Sequence, residues 1–193
     1  SGTYSLTVTD LNGCVTHASP LTITVNPLPS GSIAYNGPSS ACSGNAVQIT
    51  TQAVANAVYK WYYNGSPITY WGYSISCGCY VPSYHYGYSF AATASGNYSA
   101  EVIDTLTGCS SMTNVLSATI HPLPVPVITQ TAGIACYGNQ TASLLGSASG
   151  TVAPYTYSWS NSVTGATNTN LAAGTYVLTV TDANTCQQDT AYT

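Results

Sequence analysis

Gly174-Thr175-Tyr176-Val177-Leu178-Thr179-Val180-Thr181-Asp182 is the stretch that decides the fold. Tyr176, Leu178 and Val180 recur at every second position, the period of a strand with one buried face. The same phrase occurs twice more, at Gly2-Thr3-Tyr4-Ser5-Leu6-Thr7-Val8-Thr9-Asp10 and at Gly96-Asn97-Tyr98-Ser99-Ala100-Glu101-Val102-Ile103-Asp104. A short turn and a cysteine follow each copy: Cys14, Cys109 and Cys186. The tyrosines stand 94 and 78 residues apart, so the chain is a repeat before it is anything else.

Two further landmarks repeat. Ala41-Cys42-Ser43-Gly44-Asn45 matches Ala135-Cys136-Tyr137-Gly138-Asn139, and Tyr59-Lys60-Trp61-Tyr62 matches Tyr157-Ser158-Trp159-Ser160. Proline-rich stretches, Asn26-Pro27-Leu28-Pro29 and His121-Pro122-Leu123-Pro124-Val125-Pro126, separate the units and stiffen the junctions. The organisation expected is 1–27, the C-terminal strands of a truncated module; 28–123, a full module with an aromatic insertion at 66–92; and 124–193, a further module. Ser1 falls in mid-pattern, so the first unit reads as the tail of a module.

Within each unit the alternation is that of short strands, as in Leu21, Ile23 and Val25 or Val47, Ile49 and Thr51. Asn12-Gly13, Asn64-Gly65 and Ala183-Asn184 supply turns between them. No stretch has helical period with caps. A tyrosine that opens the penultimate strand just after a turn can return its hydroxyl to the preceding loop, as in the tyrosine corner of immunoglobulin-like sandwiches. Trp61 and Trp159 are expected to fill the cores. The fold class expected is all-β: tandem immunoglobulin-like antiparallel β-sandwich modules in a rod.

Composition narrows the function. Only 3% of the 193 residues are charged, against about 25% in ordinary domains. The 11% aromatic content, with 17 tyrosines, argues against disorder. A surface of hydroxyl and amide side chains has little charge repulsion to hold neighbours apart, which favours self-association or a glycan coat. The net charge is −4 and Lys60 is the only Lys or Arg, so no basic stripe exists for nucleic acid or for anionic lipid. No run of 18 apolar residues offers a membrane-spanning helix. Seven cysteines in so polar a chain point to an oxidising, extracellular compartment.

Asn168-Thr-Asn-Leu-Ala-Ala-Gly-Thr-Tyr-Val-Leu-Thr-Val-Thr-Asp-Ala-Asn-Thr-Cys186, preceded by Ala153-Pro-Tyr-Thr-Tyr-Ser-Trp159, resembles the SprB-type repeat of Bacteroidota surface adhesins and gliding-motility proteins. Residues 28–123 resemble the immunoglobulin-like or PKD-like modules of the same secreted proteins. The resemblance implies a stalk, a spacer or an accessory module at the cell surface, exported by the type IX system. It also implies O-glycosylation at Asp-Ser/Thr-aliphatic tripeptides, here Thr105 in Asp104-Thr105-Leu106 and Thr190 in Asp189-Thr190-Ala191. Asn64, Asn97 and Asn139 fit the Asn-x-Ser/Thr sequon, which a bacterial source would leave unused.

The disulfide candidates are Cys14, Cys42, Cys77, Cys79, Cys109, Cys136 and Cys186. One pairing stays within modules, Cys42–Cys109 and Cys136–Cys186, and leaves Cys14 without its partner. In an immunoglobulin-like sandwich, however, the loop after the first strand and the loop after the penultimate strand lie at opposite ends, roughly 17–20 Å apart. A disulfide needs Cα atoms within about 7 Å. With modules head to tail, Cys42 meets Cys186 instead, and Cys14, Cys109 and Cys136 are bonded elsewhere. Both pairings stay open at this point. Cys77-Gly78-Cys79 has no counterpart and no second ligand pair at a zinc-like spacing; a local or inter-chain disulfide is the expectation, and no metal is assigned.

Residues 66–92 concentrate Tyr70, Trp71, Tyr73, Tyr80, Tyr84, Tyr86, Tyr88 and Phe90. Tyrosine and tryptophan are favoured interface anchors, and they stack on sugar rings. Three readings follow: closure of an enlarged core, contact with another copy in a filament or layer, or adhesion to surface glycans. Catalysis is not expected. The carboxylates are Asp10, Glu101, Asp104, Asp182 and Asp189, and three of them are one repeated strand-end position suited to turn capping. No facing acid pair, triad or cofactor motif stands out. The function expected is therefore a non-catalytic structural repeat of an extracellular adhesin, stalk or filament, with a carbohydrate-binding or accessory module of a secreted hydrolase as the alternative.

Overall fold

The computed structural model describes residues 1–74 and 79–193, with the side chains of 71–82 outside the description. The described residues form an all-β protein of short strands without a helix. They divide into two compact units, Ser1–Ile33 with Thr51–Tyr88 and Ser99–Asn114, and Ala34–Thr50 with Ser89–Tyr98 and Val115–Thr193.

In the first unit, strand Ala57–Tyr63 turns through Asn64-Gly65 into Ser66–Pro67. Both turn residues have positive φ, 48° and 80°, the left-handed geometry for which an Asn-Gly hairpin is suited. Strand Gly96–Asp104 pairs along Glu101–Ile103 with Ser110–Met112. Alternation sets the burial: Ala57, Tyr59 and Trp61 on one strand and Ala100 and Val102 on the other are buried, whereas Lys60 and Glu101 sit between them on the opposite face. Gly31 permits a close approach, since a Cβ there would lie 2.7 Å from Val102 Cγ2 and 2.9 Å from the Tyr59 hydroxyl. The N-terminal residues form a ribbon in which Gly2–Tyr4 pairs with Leu21–Ile23 and Thr7–Thr9 with Val15–His17.

In the second unit, Val47–Thr51 pairs with Ser89–Ala92. Gly96–Tyr98 pairs with the start of Leu116–His121, which runs on in parallel beside Ser40–Cys42. Residues 125–192 make a small sandwich of two three-stranded sheets. One sheet is Val125–Ala132, Ala142–Ser149 and Thr167–Leu171; the other is Thr156–Trp159, Tyr176–Thr181 and Gln187–Tyr192. Ala142, Leu144, Trp159, Leu171, Leu178 and Val180 form its core. Gly146 admits this packing: a Cβ at that position would come within 2.7 Å of Leu178 Cδ2.

The repeated motifs perform repeated structural tasks. Tyr98 donates its hydroxyl to the Ala94 carbonyl at 2.8 Å, and Tyr176 donates to Ala172 at 3.1 Å, two tyrosine corners of equal span. Trp61 Nε1 donates to Gly87 O at 2.9 Å and Trp159 Nε1 to Gly165 O at 3.0 Å. Asp10 Oδ1 accepts from the amides of Asn12 and Cys14, Asp104 Oδ1 from Leu106 and Thr107, and Asp182 Oδ1 from Asn184 and Cys186. The repeated aspartate thus caps its own turn.

Candidate interaction surface and the disulfide junction

The aromatic surface is built along the strand that carries Trp61. Trp61 N–H donates to His85 O at 3.1 Å and Gly87 N–H to Tyr59 O at 3.1 Å. In the smaller sandwich Trp159 N–H donates to Val163 O and Gly165 N–H to Tyr157 O, at 2.9 and 3.0 Å. His85-Tyr86-Gly87 therefore occupies the place of Val163-Thr164-Gly165. The excess chain runs from about Tyr62 to Tyr84, and it holds the antiparallel pair Thr69–Ser74 with Cys79–Tyr84.

Tyr84, Tyr86 and Tyr88 stand at alternate positions of a segment that bends at Gly87 and Tyr88, and are 42, 52 and 59% exposed; Tyr70 is exposed as well. Tyr84 and Tyr86 meet edge to face with ring centroids 6.4 Å apart, and Tyr88 meets the buried Tyr59 at 5.9 Å. Val58, Tyr59, Tyr86, Gly87 and Tyr88 line a shallow depression of about 160 Å³. The sequence expectation for Trp71, Tyr73, Tyr80 and Cys79 concerns side chains outside the described residues, and Cys77 lies outside them altogether.

A polar cluster missed in the sequence borders this surface. Lys60 Nζ lies 3.8 Å from the centre of the Tyr84 ring, 5.4 Å from that of Tyr62 and 4.0 Å from Glu101 Oε2. Glu101 accepts from the Ser110 hydroxyl at 2.7 Å and from the Tyr62 hydroxyl at 2.9 Å. These two bonds, Ser110's above all, hold the Glu101 carboxyl below its ordinary range against the opposing effect of burial, with Lys60 assisting. Burial, then the Glu101 carboxylate, raises the Tyr62 hydroxyl. The chain's single Lys is thus spent on fixing Tyr84 and Tyr62. A signal was available: Lys60 and Glu101 each interrupt a strand at an outward position, between buried neighbours.

One disulfide is present among the described cysteines, Cys42–Cys186, with Cα atoms 5.5 Å apart. Of the pairings left open by the sequence, it is the one that joins the first cysteine of one repeat to the second cysteine of the next. Cys14, Cys109 and Cys136 are unpaired; Cys14 and Cys136 are exposed and Cys109 is half-buried. Cys42 ends the strand Ser40–Cys42 beside Leu116–His121, and Ser43 N–H donates to His121 O at 2.7 Å. Cys186 is buried at the end of the Asp182 turn. Burial raises the Asp182 carboxyl, but the amides of Cys186 and Asn184, with Thr151 and His121 nearby, bring it below its usual value. Thr105 is exposed and donates its hydroxyl to Asn56 O at 2.8 Å; Thr190 lies half-buried in the last strand. Among the described residues no group of three or more metal-ligating side chains occurs.

No sequence-family model matches the chain, and no curated protein matches it either. Solved structures do. The N-terminal eight immunoglobulin domains of Down syndrome cell adhesion molecule are 13% identical over 98% of this chain and 34% of that one, with a TM-score of 0.50. A C-terminal 282-residue fragment of intimin, solved with the intimin-binding domain of the translocated intimin receptor, is 13% identical over 85% and 64%, with a TM-score of 0.45. The three N-terminal domains of the highly immunogenic outer capsid protein of bacteriophage RB49 are 16% identical over 84% and 57%, with a TM-score of 0.40. The chain spans from about a third to just under two thirds of these chains. At such identities the likeness to the first is one of fold: tandem immunoglobulin-like domains.

Proposed function

We propose that the chain is a non-catalytic structural repeat segment of an extracellular surface adhesin, stalk or filament, that its modules run about 1–27, 28–123 and 124–193, and that it associates with itself through the aromatic surface. The observation that carries this reading is the row of exposed tyrosines, Tyr84, Tyr86 and Tyr88, on a protein almost without charge. An exposed aromatic row has nothing to repel a second copy, and edge-to-face ring contacts suit it to anchor one. The Cys42–Cys186 bond supports an oxidising, extracellular setting. The SprB-type wording of the repeats supports a surface protein, with Thr105 and Thr190 as its O-glycan sites.

The depression beside Tyr86 and Tyr88 favours a second reading, in which the same tyrosines stack on a surface glycan. Sedimentation of the chain and of a Tyr84→Ser/Tyr86→Ser/Tyr88→Ser variant, both under reducing conditions, separates the two. Concentration-dependent association that the variant loses supports self-contact. A wild type that stays monomeric at all concentrations and binds a glycan array only with its tyrosines intact replaces self-contact by glycan adhesion.

A further inference from the structure

The two tryptophan-bearing strands carry the same backbone edge, and a depression lies on it in each repeat. On the strand of Trp61 it is lined by Val58, Tyr59, Tyr86, Gly87 and Tyr88. On the strand of Trp159 the lining includes Thr156, Tyr157, Thr164 and Gly165, the positions that match the first four. The match is made by backbone bonds. Gly87 N–H donates to Tyr59 O at 3.1 Å, as Gly165 N–H donates to Tyr157 O at 3.0 Å. One residue further on, Thr51 N–H donates to Tyr88 O at 2.9 Å and Gly146 N–H to Ala166 O at 2.8 Å. Ala166 therefore stands where Tyr88 stands.

This exchange separates the two depressions. Tyr88 lays its ring edge to face against Tyr59, centroids 5.9 Å apart, and donates its hydroxyl to Ala57 O at 3.3 Å. The space left beside it is about 160 Å³. Ala166 has no ring to lay there, and the depression on the Trp159 strand is about 480 Å³. Tyr155, at the position of Ala57, is held away by its own loop: its hydroxyl donates to Thr151 O at 2.7 Å and accepts from Thr151 N–H at 3.2 Å. The Tyr155 carbonyl, which matches Ala57 O, receives a hydrogen bond from no described residue. Thr156, Ser158, Thr164 and Thr181 line the rest with hydroxyls, and no charged side chain takes part. One repeat thus displays what the other can accept: a phenol, with its ring against the strand tyrosine and its hydroxyl on the carbonyl two residues earlier.

We propose that the depression on the Trp159 strand is a receiving site for a phenol ring, supplied by Tyr86 of a second copy of this chain. The inference rests on the self-contact reading of the tyrosine row and names what the row meets. Within the row, Tyr84 is held under Lys60 and Tyr88 is seated on Tyr59, whereas Tyr86 meets the edge of Tyr84 and is 52% exposed. The receiving side buries no charge and the phenol brings none, so the joint strips no ion of its water. Ring and depression lie on different repeats. The contact is therefore heterologous, and successive copies add without closing.

The test is sedimentation of the folded full chain with its free thiols alkylated, so that no disulfide forms between copies. The expected result is a mass that keeps rising with concentration. Ala166→Tyr closes the depression from within, as Tyr88 does on the other strand, and should weaken association roughly thirtyfold or more, the scale of losing one anchoring side chain. Tyr86→Ser should do the same from the opposite side. An equal mixture of these two variants holds one usable ring and one usable depression, and should associate again but stop at dimers. Thr164→Glu, a carboxylate at an exposed position of the rim, decides the matter where Ala166→Tyr does not fold. Wild-type association by the folded depression variants, with Tyr86→Ser impaired, overturns this inference and leaves the tyrosine row to meet another surface. A mixture that stays monomeric also overturns it. A wild type that is monomeric at every concentration removes the self-contact reading and this inference together.

Discussion

Leu178→Ala and Leu6→Ala are the same substitution at the same place in one repeated phrase, and the structure gives them different costs. Leu178 is fully buried in the sandwich core, opposite Trp159 on the paired strand. Removing its isobutyl end forfeits the transfer of a leucine side chain, about 1.5–3 kcal/mol. It also leaves a void. One wall of that void is the backbone at Gly146, which approaches Leu178 Cδ2 so closely that a Cβ would lie 2.7 Å away; the Trp159 ring forms another, 3.4 Å from the same position. Neither a paired strand nor an indole held by its hydrogen bond to Gly165 collapses readily, so the expected loss is about 3–4 kcal/mol, within the usual span for such truncations. Leu6 is 62% exposed, and the same change there should cost about 0.5 kcal/mol or less. Urea unfolding followed by tryptophan emission measures both. With a slope of about 1.5 kcal/mol/M, Leu178→Ala moves the midpoint down by roughly 2 M. A shift corresponding to under about 1 kcal/mol at Leu178 refutes the packing argument. A cost above about 2 kcal/mol at Leu6 in dilute solution refutes the account of the N-terminal ribbon as bare.

Three further outcomes are expected. Cys42→Ala/Cys186→Ala opens a loop whose ends are 144 residues apart, and chain entropy puts the loss near 5 kcal/mol, read as a fall in the denaturation midpoint that the wild type matches only when reduced. Glu101 has its folded pKa below the unfolded value of 4.5, so its contribution is present above that pH and is lost as the pH falls through the lower folded value; Glu101→Gln should flatten the stability profile across that acid window, and an unchanged slope there dismisses the Ser110 and Tyr62 bonds as its cause. Trp61→Phe leaves the Gly87 carbonyl without the indole donor, at a cost of about 1–3 kcal/mol in unfolding experiments, with the matching change Trp159→Phe expected to cost a similar amount.

Much of the fold is legible in the chain because each repeated phrase encodes one local task. Alternation marks the buried faces of the strands that carry Trp61 and Leu178. A Gly-x-Tyr phrase places a hydroxyl four residues back, and an Asp ahead of a cysteine caps the turn between them. The cysteine partners were not legible to the same degree. Local phrases fix where Cys42 and Cys186 lie on their own strands but leave open which end of which sandwich each one faces. The extent of the excess segment was hidden for a related reason: His85-Tyr86-Gly87 shares only its glycine with Val163-Thr164-Gly165, and the correspondence is written in backbone hydrogen bonds that any side chain can make. The Lys60 cluster was readable in principle, since a lone cation and an acid each interrupt a strand between buried neighbours. The mutual bonding of Asn161 and Asn168, with Asn168 fully buried, was not, because an amide in a polar chain looks like any other.

The Cys42–Cys186 bond also dictates how the chain bears tension. A pull applied at residues before Cys42 and after Cys186 travels through the sulfur bridge and bypasses everything between. The 144-residue span so bypassed holds about 490 Å of extended length, at roughly 3.4 Å per residue. While the bridge holds, that length stays in reserve, and both the tryptophan-bearing strands and the tyrosine row sit outside the line of force. Reduction puts the folded strands between Cys42 and Cys186 into the line of force, so that the reserve is drawn out as they unfold.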